Sequence, residues 1–278
     1  MSQTTDIARD KATAEAFADS WNNLPAGSVY TREQFEDWFE PLHRPDIEGK
    51  SVVELGCGNA SLLVHMAQWN PSELVGIDLG SSVASARENM THGAGTVNWR
   101  VEQADLTTYR SSGFDVVYSI GVLHHLKEPF VGFQSVLANT KPGGHFHCWV
   151  YGREGNGIVI ALVEPIRKIV CHLPWWLTKY GVATTLAIPF FLYGLLFRII
   201  RGTALAEKLP LGGYMSWISK RGFQFFRHVA FDQLVTPQTT FLPRATIEAW
   251  LRSDPRITET YIIHRNGNSW KFGGRVGV

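Results

Sequence analysis

A glycine turn near residue 56 constrains the fold of this chain more than any other segment. Val52 to Leu55 forms a short, mostly apolar strand, and Gly56-Cys57-Gly58 follows it before an apolar-periodic stretch that predicts a helix over 59–69. Glycine tolerates the backbone angles and the close ligand approach that such a strand-to-helix turn requires. The turn therefore predicts a nucleotide-type pocket at the carboxyl edge of a parallel sheet.

Strand and helix patterns alternate along most of the chain. Strands are predicted over 51–55, 73–78, 97–102, 114–120, 145–151, 257–264 and 270–276, and helices over 5–23, 31–40, 59–69, 82–90, 129–140 and 244–253. The last two strands are joined by Asn266-Gly267-Asn268, a hairpin-turn sequence. The pattern predicts an α/β fold with a doubly wound, seven-stranded, mostly parallel sheet that ends in an antiparallel hairpin. The first two helices would form an N-terminal cap.

The long segment after the fifth strand is interpreted as a helical insertion. The predicted units are a helical cap over 1–45, a Rossmann-like domain over 46–152 and 241–278, and the insertion over 153–240. Tyr180 to Phe197 carries no charge and is long enough to span a membrane. Pro189 interrupts this run, however, and the strands after it must rejoin the same sheet. We therefore expect a buried or interfacial lid over the substrate, with a monotopic membrane hairpin as the alternative.

The composition excludes some classes of function. The 26 Lys and Arg residues nearly balance the 25 Asp and Glu residues, without a basic run, so we expect no nucleic-acid partner. Cys57, Cys148 and Cys171 are too scattered for a disulfide framework or a zinc site. His145 and His147 alternate on the fifth strand and are interpreted as packing residues, so no metal site is predicted. The polar N-terminus does not resemble a secretory signal, and we expect a cytoplasmic protein whose oligomeric state the sequence does not indicate.

Acidic residues near the turn narrow the choice of nucleotide. Ser61 occupies the position of the third glycine in a dinucleotide fingerprint, which disfavours a nicotinamide cofactor. Asp78 ends the second strand, 20 residues after Gly58, where a carboxylate can accept hydrogen bonds from both ribose hydroxyls. Asp105 ends the next strand and can accept from an exocyclic adenine amine, and Glu54 suits a cationic ligand end. No lysine follows the loop, so a triphosphate is not expected.

With these residues the chain resembles the class I S-adenosylmethionine-dependent methyltransferases. The resemblance covers roughly residues 50 to 152 and is carried by Val53-Glu54-Leu55-Gly56-Cys57-Gly58, Gly76-Ile77-Asp78, Ala104-Asp105-Leu106, Phe114-Asp115-Val116-Val117-Tyr118-Ser119, Val122-Leu123-His124-His125-Leu126 and Lys141-Pro142-Gly143-Gly144. Ala60 replaces the last glycine of the family's G-x-G-x-G turn. The resemblance implies that the cofactor is S-adenosyl-L-methionine and that the terminal hairpin supplies the family's final strands.

The resemblance also implies a set of cofactor-binding residues. They are Tyr30, Glu54, Gly56, Cys57, Gly58, Asp78, Leu79, Ala104, Asp105, Leu106 and Ile120. Gly56 and Gly58 would let the methionine portion approach the backbone, Asp78 would hold the ribose, and Asp105 would hold the adenine amine. Tyr30 would close over the cofactor or bond its carboxylate, although a plain packing contact of the second helix is an alternative.

Methyl transfer to a hydroxyl oxygen needs a positioned acceptor and a general base. His124 and His125 follow the fourth strand and are candidate bases, and Tyr151 ends the fifth strand within reach of an acceptor. The candidate substrate-binding residues are Arg153, Asp232, Arg265 and Asn268. For these residues the alternative interpretations are packing, hairpin-turn chemistry or a solvated surface position.

The sequence therefore favours an S-adenosylmethionine-dependent methyltransferase that acts on a small molecule, by O-methylation of an acceptor with a hydrophobic body. One alternative is a methyltransferase at a membrane surface that acts on a lipid or quinone-like acceptor. A second alternative is a non-catalytic protein that binds S-adenosylmethionine and has a regulatory role.

Overall fold

A computed structural model describes residues 10–18 and 30–278. The predicted helix over 5–23 is described only over residues 10–18, which form helix α1, and its two ends lie outside the described residues. Helix α2 (Arg32–Phe39) follows Thr31, whose hydroxyl accepts a hydrogen bond of 3.3 Å from the Gln34 amide, as expected of a helix N-cap. A single turn, α3 (Arg44–Ile47), leads into the sheet.

Seven strands form one sheet at the centre of the fold. They are β1 (Ser51–Leu55), β2 (Glu73–Asp78), β3 (Trp99–Gln103), β4 (Phe114–Ile120), β5 (Thr140–Tyr151), β6 (Ile257–Arg265) and β7 (Ser269–Val276). Their order across the sheet is β3-β2-β1-β4-β5-β7-β6, and only the two pairs that involve β7 are antiparallel. The predicted parallel sheet with a terminal antiparallel hairpin is confirmed.

Helices cover both faces of this sheet. They are α4 (Ser61–Ala67), α5 (Val83–Gly93), α6 (Pro129–Ala138) and α12 (Arg244–Arg252). One buried cluster joins α2, α4 and α5 to the sheet through Phe39, Met66 and Met90. A second cluster joins α6 and α12 to the opposite face through Phe133 and Trp250. The strands are apolar because both of their faces are buried in this way.

The segment between β5 and α12 is helical. It contains π-helical turns over Val159–Val163 and Leu177–Ala183, and the helices α7 (Glu164–Val170), α8 (Thr184–Ile200), α9 (Ala204–Lys208), α10 (Gly212–Ile218) and α11 (Phe223–Val235). Helix α8 packs on α11, and Gly194 allows close contact because a Cβ there would lie 2.5 Å from Phe226 Cζ. The register of β5 with β7 pairs Tyr151 with Ser269, so the chain leaves and rejoins the same edge of the sheet.

The break expected at Pro189 is wrong. Helix α8 continues through this residue. Proline removes one intrahelical hydrogen bond and crowds the preceding turn, at a cost of about 3 kcal/mol. Packing of the buried residues Ala187, Gly194 and Phe197 against the rest of the insertion offsets this cost.

Candidate functional site

A cavity of about 490 Å³ lies at the carboxyl ends of β1, β2 and β4. Its floor is the glycine turn with the residues that follow these strands, and its roof comes from α1 and the insertion. The apolar roof residues are Phe17, Ile158, Val159, Leu162, Val163, Ile166, Leu186, Phe190, Trp217 and Phe225. The cavity therefore has a polar end near the turn and an apolar body beneath the helical insertion.

The glycine turn has the backbone geometry that the sequence predicts. Gly56 and Gly58 have φ values of 89° and 54°, in the region that glycine adopts most readily. Ala60 also has a positive φ, of 64°, and so keeps a glycine-like conformation where the family's last glycine is replaced. The amides of Gly56 and Cys57 both donate to the carbonyl of Ile77, which ties the turn to the end of β2.

Asp78 holds the turn from the neighbouring strand. Its two carboxylate oxygens accept hydrogen bonds from the amides of Gly58 at 2.7 Å and Gly80 at 2.8 Å. Burial raises the pKa of Asp78, while these two backbone bonds act in the opposite direction. Asp78 and Leu79, both predicted to bind the cofactor, line the cavity.

Asp105 lies further along the same edge of the sheet. Its Oδ1 atom accepts hydrogen bonds from the amide and the hydroxyl of Thr107, at 2.8 and 2.7 Å, which fixes the carboxyl group on the cavity wall. Leu106 and Ile120 also line the cavity. Ala104 does not; it packs behind them against the core of the sheet.

Glu54 is a buried carboxyl group on the cavity wall, with 1% of its surface exposed. The hydroxyl of Tyr118, its partner in the register of β1 and β4, donates to it at 3.1 Å. Burial raises the pKa of Glu54 to about 8, so the isolated group is largely protonated at neutral pH. A cation beside it would favour the carboxylate.

Tyr30 and Cys57 complete the polar end of the cavity. Burial raises the pKa of Tyr30 well above 10, and the negative charges of Asp232 and Glu54 act in the same direction. The Tyr30 ring also packs edge-on against Trp38, so it has the packing contact that the sequence left as an alternative.

The structure separates the two candidate histidines. His125 lines the cavity, whereas His124 is fully buried and lies outside the cavity wall, with its ring 4.1 Å from that of Tyr151. His125 Nδ1 lies 3.0 Å from the carbonyl of Gln238, and because a carbonyl only accepts, Nδ1 carries the hydrogen. Burial lowers the pKa of His125 to about 4, so it is neutral at neutral pH.

A second histidine on the cavity wall, His228, was not predicted from the sequence. His228 Nε2 lies 3.2 Å from Asp232 Oδ2, one turn apart on α11, and both residues line the cavity. The i, i+4 spacing was visible in the sequence, but only Asp232 was identified as a candidate. Tyr151 lies on the same wall, and burial raises its pKa well above 10, so its hydroxyl stays protonated.

The remaining predicted substrate residues differ in position. Arg265 and Asn268 line the cavity, whereas Arg153 is exposed and lies outside the cavity wall. Arg265 also makes structural contacts. Its Nε atom donates to Asp37 Oδ2 at 2.7 Å, and its guanidinium group lies over the Trp217 ring at 5.0 Å. The cavity therefore contains three of the four predicted substrate-binding residues.

The polar end of the cavity fits S-adenosylmethionine by the chemistry of its donor and acceptor groups. That cofactor has a cationic amino acid end, a ribose diol and an adenine amine. The buried Glu54, the strand-end Asp78 and the anchored Asp105 all line the cavity, and carboxyl groups suit these three parts. Among the described residues, no group of three or more His, Cys, Asp or Glu side chains is arranged to hold a metal ion.

Comparisons with known proteins agree with this fit. The model of a methyltransferase domain family matches residues 53–146. The chain is 28% identical over 176 residues to the ubiquinone biosynthesis O-methyltransferase of Pectobacterium atrosepticum, covering 57% of this chain and 68% of that protein. It is 30% identical over 119 residues to the tRNA U34 carboxymethyltransferase of Desulfotalea psychrophila, covering 41% of this chain but only 36% of that protein.

Among solved structures, the magnesium protoporphyrin IX methyltransferase of Synechocystis with bound SAH is similar over 90% of this chain and 83% of its own, with a TM-score of 0.51. At 14% identity this similarity shows the fold alone. The region matched by the family model, in contrast, contains the glycine turn and all three strand ends that carry the acids. With the fold and the cofactor site in agreement, residues 53–146 form a methyltransferase domain, and the chain around them has the class I methyltransferase fold.

Proposed function

We propose that this methyltransferase methylates a hydroxyl oxygen of a small molecule that has a hydrophobic body. The observation that carries the proposal is the continuity of the cavity, which joins the three carboxyl groups at the turn to the His228–Asp232 pair beneath an apolar roof. The name of the Pectobacterium relative, an O-methyltransferase, supports oxygen as the methylated atom. The apolar roof supports an acceptor with a hydrophobic body.

In this proposal Glu54, Asp78 and Asp105 hold the cofactor. Bound S-adenosylmethionine supplies a methyl group on positively charged sulfur, which is the electrophile of the reaction. Asp78 accepts from the ribose hydroxyls, Asp105 accepts from the adenine amine, and Glu54 faces the cationic end. Because Asp78 and Asp105 are already fixed by backbone hydrogen bonds, little ordering is needed when the ligand binds.

His228 takes up the proton of the acceptor hydroxyl in this proposal. Asp232 accepts a hydrogen bond from the His228 ring, orients it, and offsets the positive charge that the ring gains on protonation. Among the described residues, His125 bonds the Gln238 carbonyl and the Thr239 hydroxyl rather than a carboxylate. Its pKa of about 4 makes it a weak base, so we assign it the orientation of the acceptor. Tyr151 stays neutral and donates or accepts a hydrogen bond at the same end.

A set of matched acceptors tests the proposal. The full chain is incubated with S-adenosylmethionine labelled in its methyl group and with a naphthol, the corresponding naphthylamine, the thiol and the carboxylic acid. We expect label on the naphthol oxygen, and much less when a charged group is added to the distant ring. Transfer to the amine or thiol in preference to the hydroxyl would contradict the proposal. Cofactor binding without transfer to any acceptor, including those of a cell extract, would favour the regulatory alternative.

A further inference from the structure

The outward face of helix α8 is apolar and exposed. Leu177 to Ile200 forms one continuous helix of 24 residues, of whose most apolar 18 residues only 22% are buried. The buried residues Ala187, Gly194 and Phe197 lie on one side of it. On the opposite side Ile188, Leu192, Leu196 and Ile199 are exposed by 50, 60, 44 and 82%. We call these four residues the α8 stripe; their spacing of three and four residues aligns them along one helix face.

Exposed apolar residues also occur on the helical segment that precedes α8. Ile169 lies outside the cavity wall and is exposed by 72%, and the roof residues Ile158 and Leu162 are exposed by 45 and 62%. Trp176 and Tyr180 are each exposed by 55% near the start of the long helix. Single exposed apolar side chains are ordinary on a soluble protein, but such a concentration marks an interaction surface. Exposed Trp and Tyr beside apolar residues are typical of a membrane–water interface.

The charge of the insertion identifies the kind of partner. Residues 153–240 contain ten Lys and Arg against four Asp and Glu, a net charge of +6. The rest of the chain contains sixteen Lys and Arg against twenty-one Asp and Glu, a net charge of −5. The near-neutral total therefore conceals a basic insertion on an acidic fold. Basic residues combined with an apolar helix face complement anionic lipid headgroups and the acyl chains beneath them.

The topology excludes a single membrane crossing by α8. Its packed side is occupied by α11 and α10, so lipid has access only to the other side. The chain also returns from the insertion to pair β7 with β5, which keeps both flanking segments on one side of any bilayer. Such a helix lies in the plane of the interface rather than across it.

We propose that the α8 stripe docks this protein on the surface of an anionic lipid bilayer. The stripe enters the boundary between headgroups and acyl chains, and the exposed basic residues of the insertion contact the headgroups. Arg198 and Arg201 are exposed and follow the uncharged run, which places two cationic residues at the C-terminal end of the stripe. The proposal does not depend on the identity or the reacting atom of the methyl acceptor.

Sedimentation with lipid vesicles tests the docking. The full chain is mixed with vesicles of phosphatidylcholine alone or with one third phosphatidylglycerol. We expect binding to the anionic vesicles, release at high salt, and at least about tenfold weaker binding of the double variant Leu192→Glu/Ile199→Glu. Val131→Glu is the matched control, because Val131 is an exposed apolar residue on α6, outside the insertion. We expect it to bind as the wild type does.

Binding of S-adenosylhomocysteine is measured on all variants, so that misfolding is distinguished from lost docking. A double variant that keeps the ligand and loses the vesicles supports the proposal. Equal vesicle binding by wild type and double variant would overturn it, as would the absence of binding to anionic vesicles. A wild-type dimer that the double variant converts to a monomer, without vesicle binding, would show that a second copy covers the stripe and would also overturn it.

Discussion

His228 Nε2 lies 3.2 Å from the carboxylate of Asp232 on the wall of the cavity that also contains the glycine turn. Both residues belong to α11, within the insertion, whereas the turn belongs to the sheet. The insertion therefore supplies chemistry as well as an apolar roof. It brings an imidazole and a neighbouring carboxylate to the wall of the cavity that also contains the cofactor carboxyl groups.

The His228–Asp232 pair is expected to govern turnover rather than cofactor binding. His228→Gln removes the proton acceptor, so kcat should fall by roughly 10²- to 10⁴-fold while the affinity for S-adenosylhomocysteine stays unchanged. Asp232→Asn should lower kcat less, because the imidazole remains. Gln224→Ala, at an exposed position on the same helix, is the control. A His228→Gln variant with wild-type kcat, alongside an impaired His125→Gln variant, would transfer the role to His125.

Glu54 is expected to make cofactor binding depend on pH. Its pKa is about 8 in the folded protein, and a cationic ligand end favours the carboxylate, so binding below pH 8 releases a proton. The affinity for S-adenosylmethionine should therefore rise with pH up to about 8 and then level off. Calorimetry in buffers of different ionisation enthalpy measures this proton release. Glu54→Gln should abolish it, and methylthioadenosine, which lacks the cationic groups, should not show it. Identical proton release by Glu54→Gln would contradict the assignment.

His147 is expected to destabilise the fold in acid. Its Nε2–H donates to the carbonyl of Trp38 at 2.8 Å, and its Nδ1 accepts from the Tyr261 hydroxyl at 2.6 Å. Both nitrogens of the neutral ring therefore have a hydrogen-bond partner, and protonation of Nδ1 would break the bond from Tyr261. Burial lowers its pKa from 6.5 to about 4, so its contribution to stability is present above pH 6.5 and is lost as the pH falls towards 4.

The loss from His147 should amount to about 3 kcal/mol across this range of pH. Glu54 acts in the opposite direction because its pKa is raised in the folded protein. The comparison of wild type with His147→Gln cancels this shared contribution. Urea unfolding at several pH values should show that the stability advantage of the wild type shrinks between pH 6.5 and 4. An advantage that does not change with pH would contradict the prediction.

Asp37 is expected to stabilise the contact between α2 and the terminal hairpin. It pairs with Arg265, and its backbone carbonyl accepts from Lys271 Nζ at 2.6 Å; both cationic side chains are at least 95% buried. Asp37→Asn leaves the guanidinium group without its charge partner and should lower the free energy of unfolding by about 2–4 kcal/mol. Glu36→Gln, which breaks only the exposed pair with Arg32, should change it by less than about 1 kcal/mol. If urea unfolding showed the same loss of unfolding free energy for both substitutions, the stabilising role of Asp37 would be refuted.

The sheet and the cofactor end could be predicted from the sequence because local rules determine them. Glycines mark the positive φ angles at the turn, and acids mark the ends of β2 and β3. The start of β5 was missed by five residues, because Pro142 and Gly143 resemble turn residues. The pairing of β5 with β4 carries a register shift there, which accommodates these residues inside a strand.

The acceptor end could not be predicted in the same way. Which face of α11 points into the cavity depends on how the insertion packs on α8 and the sheet, and no local pattern specifies that packing. His228 was therefore overlooked, although it is four residues from Asp232. For the same reason the adjacent histidines after β4 looked equivalent in sequence, whereas the structure buries His124 behind Tyr151 and turns His125 into the cavity.

The central claim, that this cavity holds S-adenosylmethionine, is tested most directly by titrating S-adenosylhomocysteine into wild type and Asp105→Asn. The asparagine oxygen can still accept both hydrogen bonds from Thr107, so the turn is kept, while the other acceptor atom becomes a donor. We predict one site per chain in the wild type and roughly 10- to 100-fold weaker binding in the variant, with an unchanged unfolding midpoint. Equal affinity of both proteins, or tighter binding of NAD than of S-adenosylhomocysteine, would contradict the account.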